Sequence, residues 1–292
     1  MIARLVTRLI DAQAVWARPL GDFNHRWLTA LFGRLRPLKD LLNGKWLGHP
    51  LHAVLTDVPV GVFTLAIVFD VLDLRLAADL AIALGILASL AAAVTGLADY
   101  TDTDGHPRMV ATVHATLNSL ALVAYIVSLA LRTGNPDGDR LLAIVLSLVG
   151  YGLLSAGAWV GGEIVFALGN MVNRHAWRFS GSPGWVKLDL SEIPEGVLTR
   201  AKAGAQSLVL VREGSTILAL HDTCAHAGGP LSQGRIVDGC VECPWHQSRF
   251  RLSDGRRVQG PTTFDQPRYE VRAAEGGGYE ARRVGGTKGQ NV

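Results

Sequence analysis

Charge is scarce in this chain and unevenly spread. Asp, Glu, Lys and Arg make up 18% of the 292 residues, against about 25% in ordinary soluble proteins. The three cysteines are too few for a disulfide framework at this length. A net charge of +3 with no basic stripe interleaved with aromatics excludes nucleic acid as a partner. No hydrolytic triad and no phosphate-binding loop can be read; the glycines of "GDRLLAIVLSLVGYG" have the wrong spacing. The first 48 residues lack the continuous apolar core, cleavage site and twin-Arg pair of an export signal, so no leader is expected there.

The surplus of apolar residues lies between 51 and 171. Leu80 to Ala98 holds no charge in 19 residues, Met109 to Leu131 none in 23, and Leu141 to Gly162 none in 22. About 20 apolar residues cross the hydrocarbon core as a helix. Leu51 to Phe69 is a weaker fourth run, because Asp57 interrupts it. A soluble four-helix bundle would show polar faces at helical spacing, and runs two to four show none. Short polar linkers between the runs predict an all-α, up-down-up-down transmembrane bundle over 49–175.

An even number of crossings puts both ends of the bundle on one side. Near that side lie Arg34, Arg36, Lys39, Lys45, Arg108, Arg174 and Arg178; near the other lie Arg75, Arg132 and Arg140. This bias predicts a cytoplasmic N-terminus and C-terminal domain. Residues 1–48 mix Arg with Leu, Val, Phe and Trp at helical spacing, which predicts one or two basic amphipathic helices on the membrane surface or, alternatively, docked on the soluble domain.

"GSPG" at 181–184 marks a linker, taken as 176–184, and 285–292 reads as a flexible tail. Between them, Trp185–Leu188, Ser207–Val211, Thr216–Leu220, Tyr269–Val271 and Tyr279–Arg282 have strand character between Gly, Pro and Asp, so 185–284 is expected to be a small all-β domain. Within it, "TCAHAGGPL" and "CPWHQSRF" each offer one thiolate and one imidazole. Two sulfurs and two nitrogens suit a tetrahedral Zn²⁺. They equally suit a two-iron, two-sulfide cluster in which two histidines replace two cysteines on one iron.

"CAHAGGPL" followed by "CPWHQSRF" resembles the Rieske family in its ferredoxin-like branch, over about 185–284. The resemblance implies a [2Fe–2S] cluster with Cys224 and Cys243 on one iron and His226 and His246 on the other. It implies tight turns at Gly228, Gly229, Pro230 and Pro244, a hydroxyl near the cluster at Ser248, and a low reduction potential. Outward-facing His226 and His246 would form the electron exit. The inter-loop disulfide of the respiratory members is missing: Gly229 and Trp245 stand at its positions, and Cys240 is a spare thiol outside the motif. Lack of a disulfide accords with a reducing cytoplasm.

The helical half carries polar residues near the membrane side of the termini: His52, Asp57, His114, Asn118 and Glu163, with His49, His106 and His175 read as wet interfacial residues. Ionisable groups at membrane depth usually mark a site. His52 and His114 could ligate haem b, or the group could line a quinone pocket, or it could be a structural polar cluster. "GHPLHAVLTDVPVGVF", "TGLADYTD" and "HATLNSL" resemble the DUF2231 membrane family over about 45–173, which implies no particular activity.

The expectation is therefore a multidomain integral membrane protein, at the bacterial inner membrane, with a C-terminal all-β Rieske ferredoxin-like domain. It would pass single electrons between a redox partner protein and a quinone or haem in the bundle. Alternatives are the electron-transfer subunit of an oxygenase or reductase complex, and an iron–sulfur redox sensor. The sequence carries no mononuclear-iron facial triad of its own, and leaves the oligomeric state open.

Overall fold

The computed structural model describes residues 2–136, 138–176 and 184–284. Most of the expected linker, the expected tail at 285–292 and Arg178 lie outside the described residues. The chain forms two units: residues 1–42 with 50–170, and residues 43–49 with 171–292.

The first unit holds seven helices among its described residues: α1 (Ile2–Asp11), α2 (Ala14–Arg34), α3 (Arg36–Leu42), α4 (Leu51–Val71), α5 (Arg75–Tyr100), α6 (Gly105–Gly134) and α7 (Leu141–Gly162). The last four are long and apolar enough to cross a membrane. Helices are the natural outcome there, because in lipid each backbone N–H and C=O must be satisfied within its own segment. α4 runs unbroken through Asp57 and Pro59. In α5 the large residues Leu80, Leu84, Leu87, Leu90 and Val94 are exposed, while Ala78, Ala81, Ile82, Gly85 and Ala92 are buried. That is the reverse of a water-soluble bundle; small inward residues let membrane helices approach closely. At Gly85 a Cβ would lie 2.4 Å from the ring of Phe63, which itself stacks on Tyr125.

Charge inside this unit is paired. The buried Arg132 guanidinium donates to both carboxylate oxygens of Asp70 at 2.6 and 2.7 Å. Arg140 holds Asp79 with two bonds of 3.0 Å. Two of the three basic residues assigned to the far side thus clamp helix ends to one another. At the other end, Lys39 of α3 reaches Asp102 at 2.6 Å with both side chains buried.

The N-terminal segment forms three helices rather than one or two. Ile10, Ala17, Leu28 and Phe32 pack against Ala98, Met109, Val110, Ala111 and Val113 of their own unit. Trp16, Leu20, Phe23, Trp27 and Leu31 remain exposed. The segment 1–48 is also not one piece, since residues 43–49 group with the second unit. Their anchor is Lys45: its ammonium donates to the Val258 carbonyl at 2.8 Å and its own carbonyl accepts from Arg257 at 2.9 Å.

The second unit contains β1 (Val186–Lys187), β2 (Thr199–Ala203), β3 (Gln206–Glu213), β4 (Thr216–His221), β5 (Arg235–Val237), β6 (Cys240–Glu242), β7 (Arg249–Arg251), β8 (Arg257–Gln259), β9 (Arg268–Ala273) and β10 (Tyr279–Arg283). They make a six-stranded antiparallel sheet, β1-β10-β9-β4-β3-β2, and a four-stranded one, β5-β6-β7-β8. Successive residues of a strand face opposite ways. In β3, Val209 and Val211 therefore join the core shared with Val241 and Phe250 of the small sheet and with Leu252 just after it, while Leu208 and Leu210 join a second core with Ala219 and Tyr269. The small sheet and β2 escaped the sequence reading. Three-residue strands such as "RIV" and "RFR" are too short and too charged to show a period.

Replacing Arg132 by Ala would strand Asp70 in the helical unit. Breaking a buried pair in this way costs about 3–5 kcal/mol. Denaturant unfolding of Arg132→Ala in detergent should show a loss of that size, and an unchanged midpoint would count against the clamp.

Candidate metal centre

Two loops carry the cysteine–histidine donor pairs, and they are closed in the same way. In the first, Gly228 N–H donates to the Cys224 carbonyl at 3.0 Å and Cys224 N–H donates to the Gly229 carbonyl at 2.8 Å. In the second, Gln247 N–H donates to the Cys243 carbonyl at 3.0 Å and Cys243 N–H donates to the Ser248 carbonyl at 2.8 Å. Each loop turns through a left-handed residue, Gly228 at φ +88° and Gln247 at φ +61°. Glycine adopts that conformation at no steric cost; Gln247 adopts it within the same pair of backbone bonds.

This closure turns backbone N–H groups toward the sulfurs. Those of His226 and Ala227 bond to Cys224, and those of Trp245 and His246 bond to Cys243. The two thiols also interact directly. A bond from Cys224, aided by the two N–H groups, holds Cys243 below the usual thiol range despite burial, while burial pushes Cys224 up. Of the two sulfurs it is Cys243 that the surroundings favour as thiolate. The imidazoles form a second pair: the rings of His226 and His246 lie 5.0 Å apart between centroids at 86°. Among the described residues no three His, Cys, Asp or Glu side chains converge on one point. Sulfur with sulfur and imidazole with imidazole is the division that a two-iron cluster requires. The donor set fits that cluster.

Trp245 lies over Gly229. A Cβ on Gly229 would come within 2.9 Å of the Cys243 sulfur and 3.0 Å of the indole ring. Gly229 and Trp245, the two positions expected to lack the inter-loop disulfide, thus make a close packing contact. Pro230 leads into the short helical turn Leu231–Gln233 and bridges to Thr223; Pro244 is exposed. Ser248 is fully buried, and its hydroxyl accepts from Thr262 N–H at 3.3 Å. Cys240 is buried in β6, outside both loops, where burial pushes its thiol up.

Three polar residues that no periodicity marks hold the first loop from behind. The Gln266 amide donates to the His221 and Thr223 carbonyls at 2.6 and 2.7 Å and accepts from Ala225 N–H at 3.0 Å. Asp222 accepts from Ser232 N–H at 2.7 Å. His175 donates from Nε2 to the Thr223 carbonyl at 2.8 Å, and Arg174 N–H donates to the Ala225 carbonyl. His175 is 3% exposed, so it is a buried support of the loop and not a wet border residue.

His226 is likewise not an outward-facing edge. It is 3% exposed, beside a recess lined by Met171, Pro261, Thr262, Thr263 and Phe264. The exposed edge belongs to the second loop: Trp245 is 53% exposed and His246 partly so.

In the helical unit, His52 and His114 do meet, with ring centroids 6.2 Å apart. Asn118 stands against the His114 ring and donates to the His114 carbonyl at 2.9 Å. Asp57 is exposed on α4; five residues after His52, it is rotated roughly 140° around a helix of about 3.6 residues per turn. Glu163 opens the π-helical turn Glu163–Ala167. Among the described residues no hydrogen bond or ion pair joins either carboxylate to the histidines.

A family model described as "Rieske [2Fe-2S] domain" matches residues 184–270, and one described as "Predicted membrane protein (DUF2231)" matches residues 48–174. The anthranilate 1,2-dioxygenase ferredoxin subunit of Burkholderia cepacia is 33% identical over 87 residues, 30% of this chain and 81% of that protein. Ferredoxin CarAc of Metapseudomonas resinovorans is 32% identical over 99 residues, 33% of this chain and 92% of that protein. A solved complex of reduced oxygenase and oxidized ferredoxin in carbazole 1,9a-dioxygenase is similar at 30% identity, over 36% of this chain and 95% of that one, with a TM-score of 0.30.

Gly229→Ala should overpack the loops at a cost of about 1–3 kcal/mol and lower the iron retained on purification; full retention would show that the Trp245 contact is slack. Glu242, next to Cys243, is buried between Arg249 and Arg235 at 2.6 and 2.7 Å. Burial alone would raise its carboxyl, but the two arginines outweigh that and hold it below its ordinary value of 4.5. A depressed carboxyl stabilises the fold in full above its unfolded pKa, and that stability drains as pH falls through the folded value. Denaturation midpoints taken between about pH 6 and about pH 3.5 should fall less steeply for Glu242→Gln than for the native chain, and parallel curves would remove Glu242 from the acid response.

Proposed function

The chain belongs to the Rieske [2Fe–2S] family through its C-terminal domain and carries a DUF2231 membrane domain ahead of it, and from that premise we propose that it is a membrane-anchored one-electron carrier. The observation that carries this reading is the pair of identically closed loops, each presenting one sulfur and one imidazole. In it, Cys224 and Cys243 bind one iron and His226 and His246 the other. Bound there, the cluster supplies reversible one-electron chemistry.

The chain's own residues set the terms of that transfer. N–H groups of Ala227 and Trp245 and of both ligand histidines offset negative charge on the sulfurs, and Gly229 lets the loops close. Gln266 and His175 hold the first loop in place, so little reorganises when charge changes. Buried His226 shields one side. Trp245 and His246 form the docking edge for a partner.

That partner is an oxidoreductase component. The relatives are ferredoxin components of dioxygenase systems, and on that likeness substrate chemistry belongs to the partner. The other electron exchange is with a quinone or haem b in the helical domain, around His52 and His114. Helical and β domains are taken as about 49–175 and 185–284. The N-terminal helices lie on the membrane surface, supported by exposed Trp16, Phe23 and Trp27. Domain and N-terminus face the cytoplasm of a bacterial inner membrane. Supporting this, Arg132 and Arg140 of the far side are spent on internal pairs.

Detergent-purified protein should contain two irons and two acid-labile sulfides per chain and give, after dithionite, the EPR signal of a histidine-ligated cluster. Its midpoint should lie below about +200 mV, within the roughly −150 to +300 mV span of such centres. Cys243→Ser should abolish the signal. A colourless, zinc-containing, EPR-silent preparation would end this reading.

A further inference from the structure

His52 and His114 come from α4 and α6, and α4 packs chiefly on α5 while α6 packs chiefly on α7. Their rings meet at 6.2 Å with planes at 89°. Each ring is tied to the neighbouring helix of its own pair. His52 Nδ1 lies 2.8 Å from the Ala92 carbonyl on α5, and His114 Nδ1 lies 2.7 Å from the Gly157 carbonyl on α7. A carbonyl oxygen only accepts, so both Nδ1 atoms carry the proton. In a neutral ring that leaves the lone pair on Nε2, which at His114 lies 3.4 Å from the Asn118 amide nitrogen, a contact that a ligand on Nε2 would replace. Orientation of an imidazole by an Nδ1–H bond to a backbone carbonyl is how metal-binding histidines are held.

Glycine lets each ring lie directly against the neighbouring helix. A Cβ at Gly96 would lie 2.8 Å from His52 Cε1, and one at Gly161 would lie 3.0 Å from His114 Cε1. Two imidazoles with fixed tautomers, converging from separate helix pairs, exceed what packing needs.

The ligand follows from the count. Among the described residues no third His, Cys, Asp or Glu joins the pair. A bare transition-metal ion wants about four protein donors, but an iron held in a porphyrin needs only axial ones. Metal–imidazole bonds of about 2.0–2.1 Å on each side, added to the ring radii, put the centroids about 6 Å apart, the separation observed. An oxidised quinone fits less well: its oxygens accept, and both ring N–H groups are already given to carbonyls.

The geometry points to His52 and His114 as the axial ligands of a b-type haem. This deepens the electron-carrier reading by naming its second redox group, and rests on that reading for its purpose, not for its ligands. The test is full-length protein in detergent, made with a haem precursor supplied and then titrated with hemin. One haem per chain with a low-spin ferrous spectrum, a Soret band and split visible bands, is expected, and low-spin ferric EPR should report two nitrogen axial ligands. His52→Ala and His114→Ala should each weaken haem binding by at least about tenfold while the cluster signal persists, and imidazole should restore the low-spin spectrum to the His→Gly forms. Native protein that shows the cluster but takes up no haem, or whose haem binding and spin state survive both substitutions, overturns the assignment and leaves the carrier reading standing. Haem without a cluster would do the converse.

Discussion

The β domain depends on closing a six-residue loop around a cysteine twice, in unrelated sequence, with the same two backbone bonds. The cysteine carbonyl accepts from the N–H four residues ahead, its N–H donates to the carbonyl five residues ahead, and each loop so closed holds one left-handed residue, Gly228 and Gln247. Everything at the site follows from that closure. It turns N–H groups toward sulfur, sets the two thiols against each other, and leaves the two imidazoles as a separate pair. A cluster with unlike irons needs this sorting of ligands, and a sheet edge alone could not supply it.

Asymmetry between the loops has a physical origin too. The first is backed by Gln266, Asp222 and His175, and its histidine is buried beside Met171 and the 261–264 loop. The second projects Trp245 and His246. One loop is braced from behind, and the other is exposed. Segments that flank the membrane helices take part: residues 43–49 and 171–176 are folded into the β unit through Lys45, Arg174 and His175. This β domain is therefore larger than its sequence motif, and its supports arrive from both sides of the helical stretch.

In the helical unit the governing constraint is lipid. Large apolar residues face outward at no cost, so the interior is left to alanine, glycine and paired charge. Arg132 with Asp70 and Arg140 with Asp79 are tolerable there because each guanidinium is matched by a carboxylate in bidentate geometry, the arrangement that best repays desolvation. His52 and His114 obey the same rule by giving their N–H groups to helix carbonyls.

Much of this was legible in the sequence for a simple reason: hydrophobic runs and short-range ligand spacing are local properties. The four spans, the all-β character of the C-terminal half and the two cysteine–histidine pairs were all readable from neighbours along the chain. What stayed hidden depends on residues far apart. The small sheet has strands too short to carry a period. Gln266 and His175 matter only because the fold brings them to Thr223 from 43 and 48 residues away. His226 and His246 look equivalent in the motif, yet only packing by distant segments could decide that one is buried and the other faces out. Local pattern determined which atoms can bind and which helices can span; tertiary contact alone decided which face is open, because burial is a property of neighbours that the chain supplies from elsewhere.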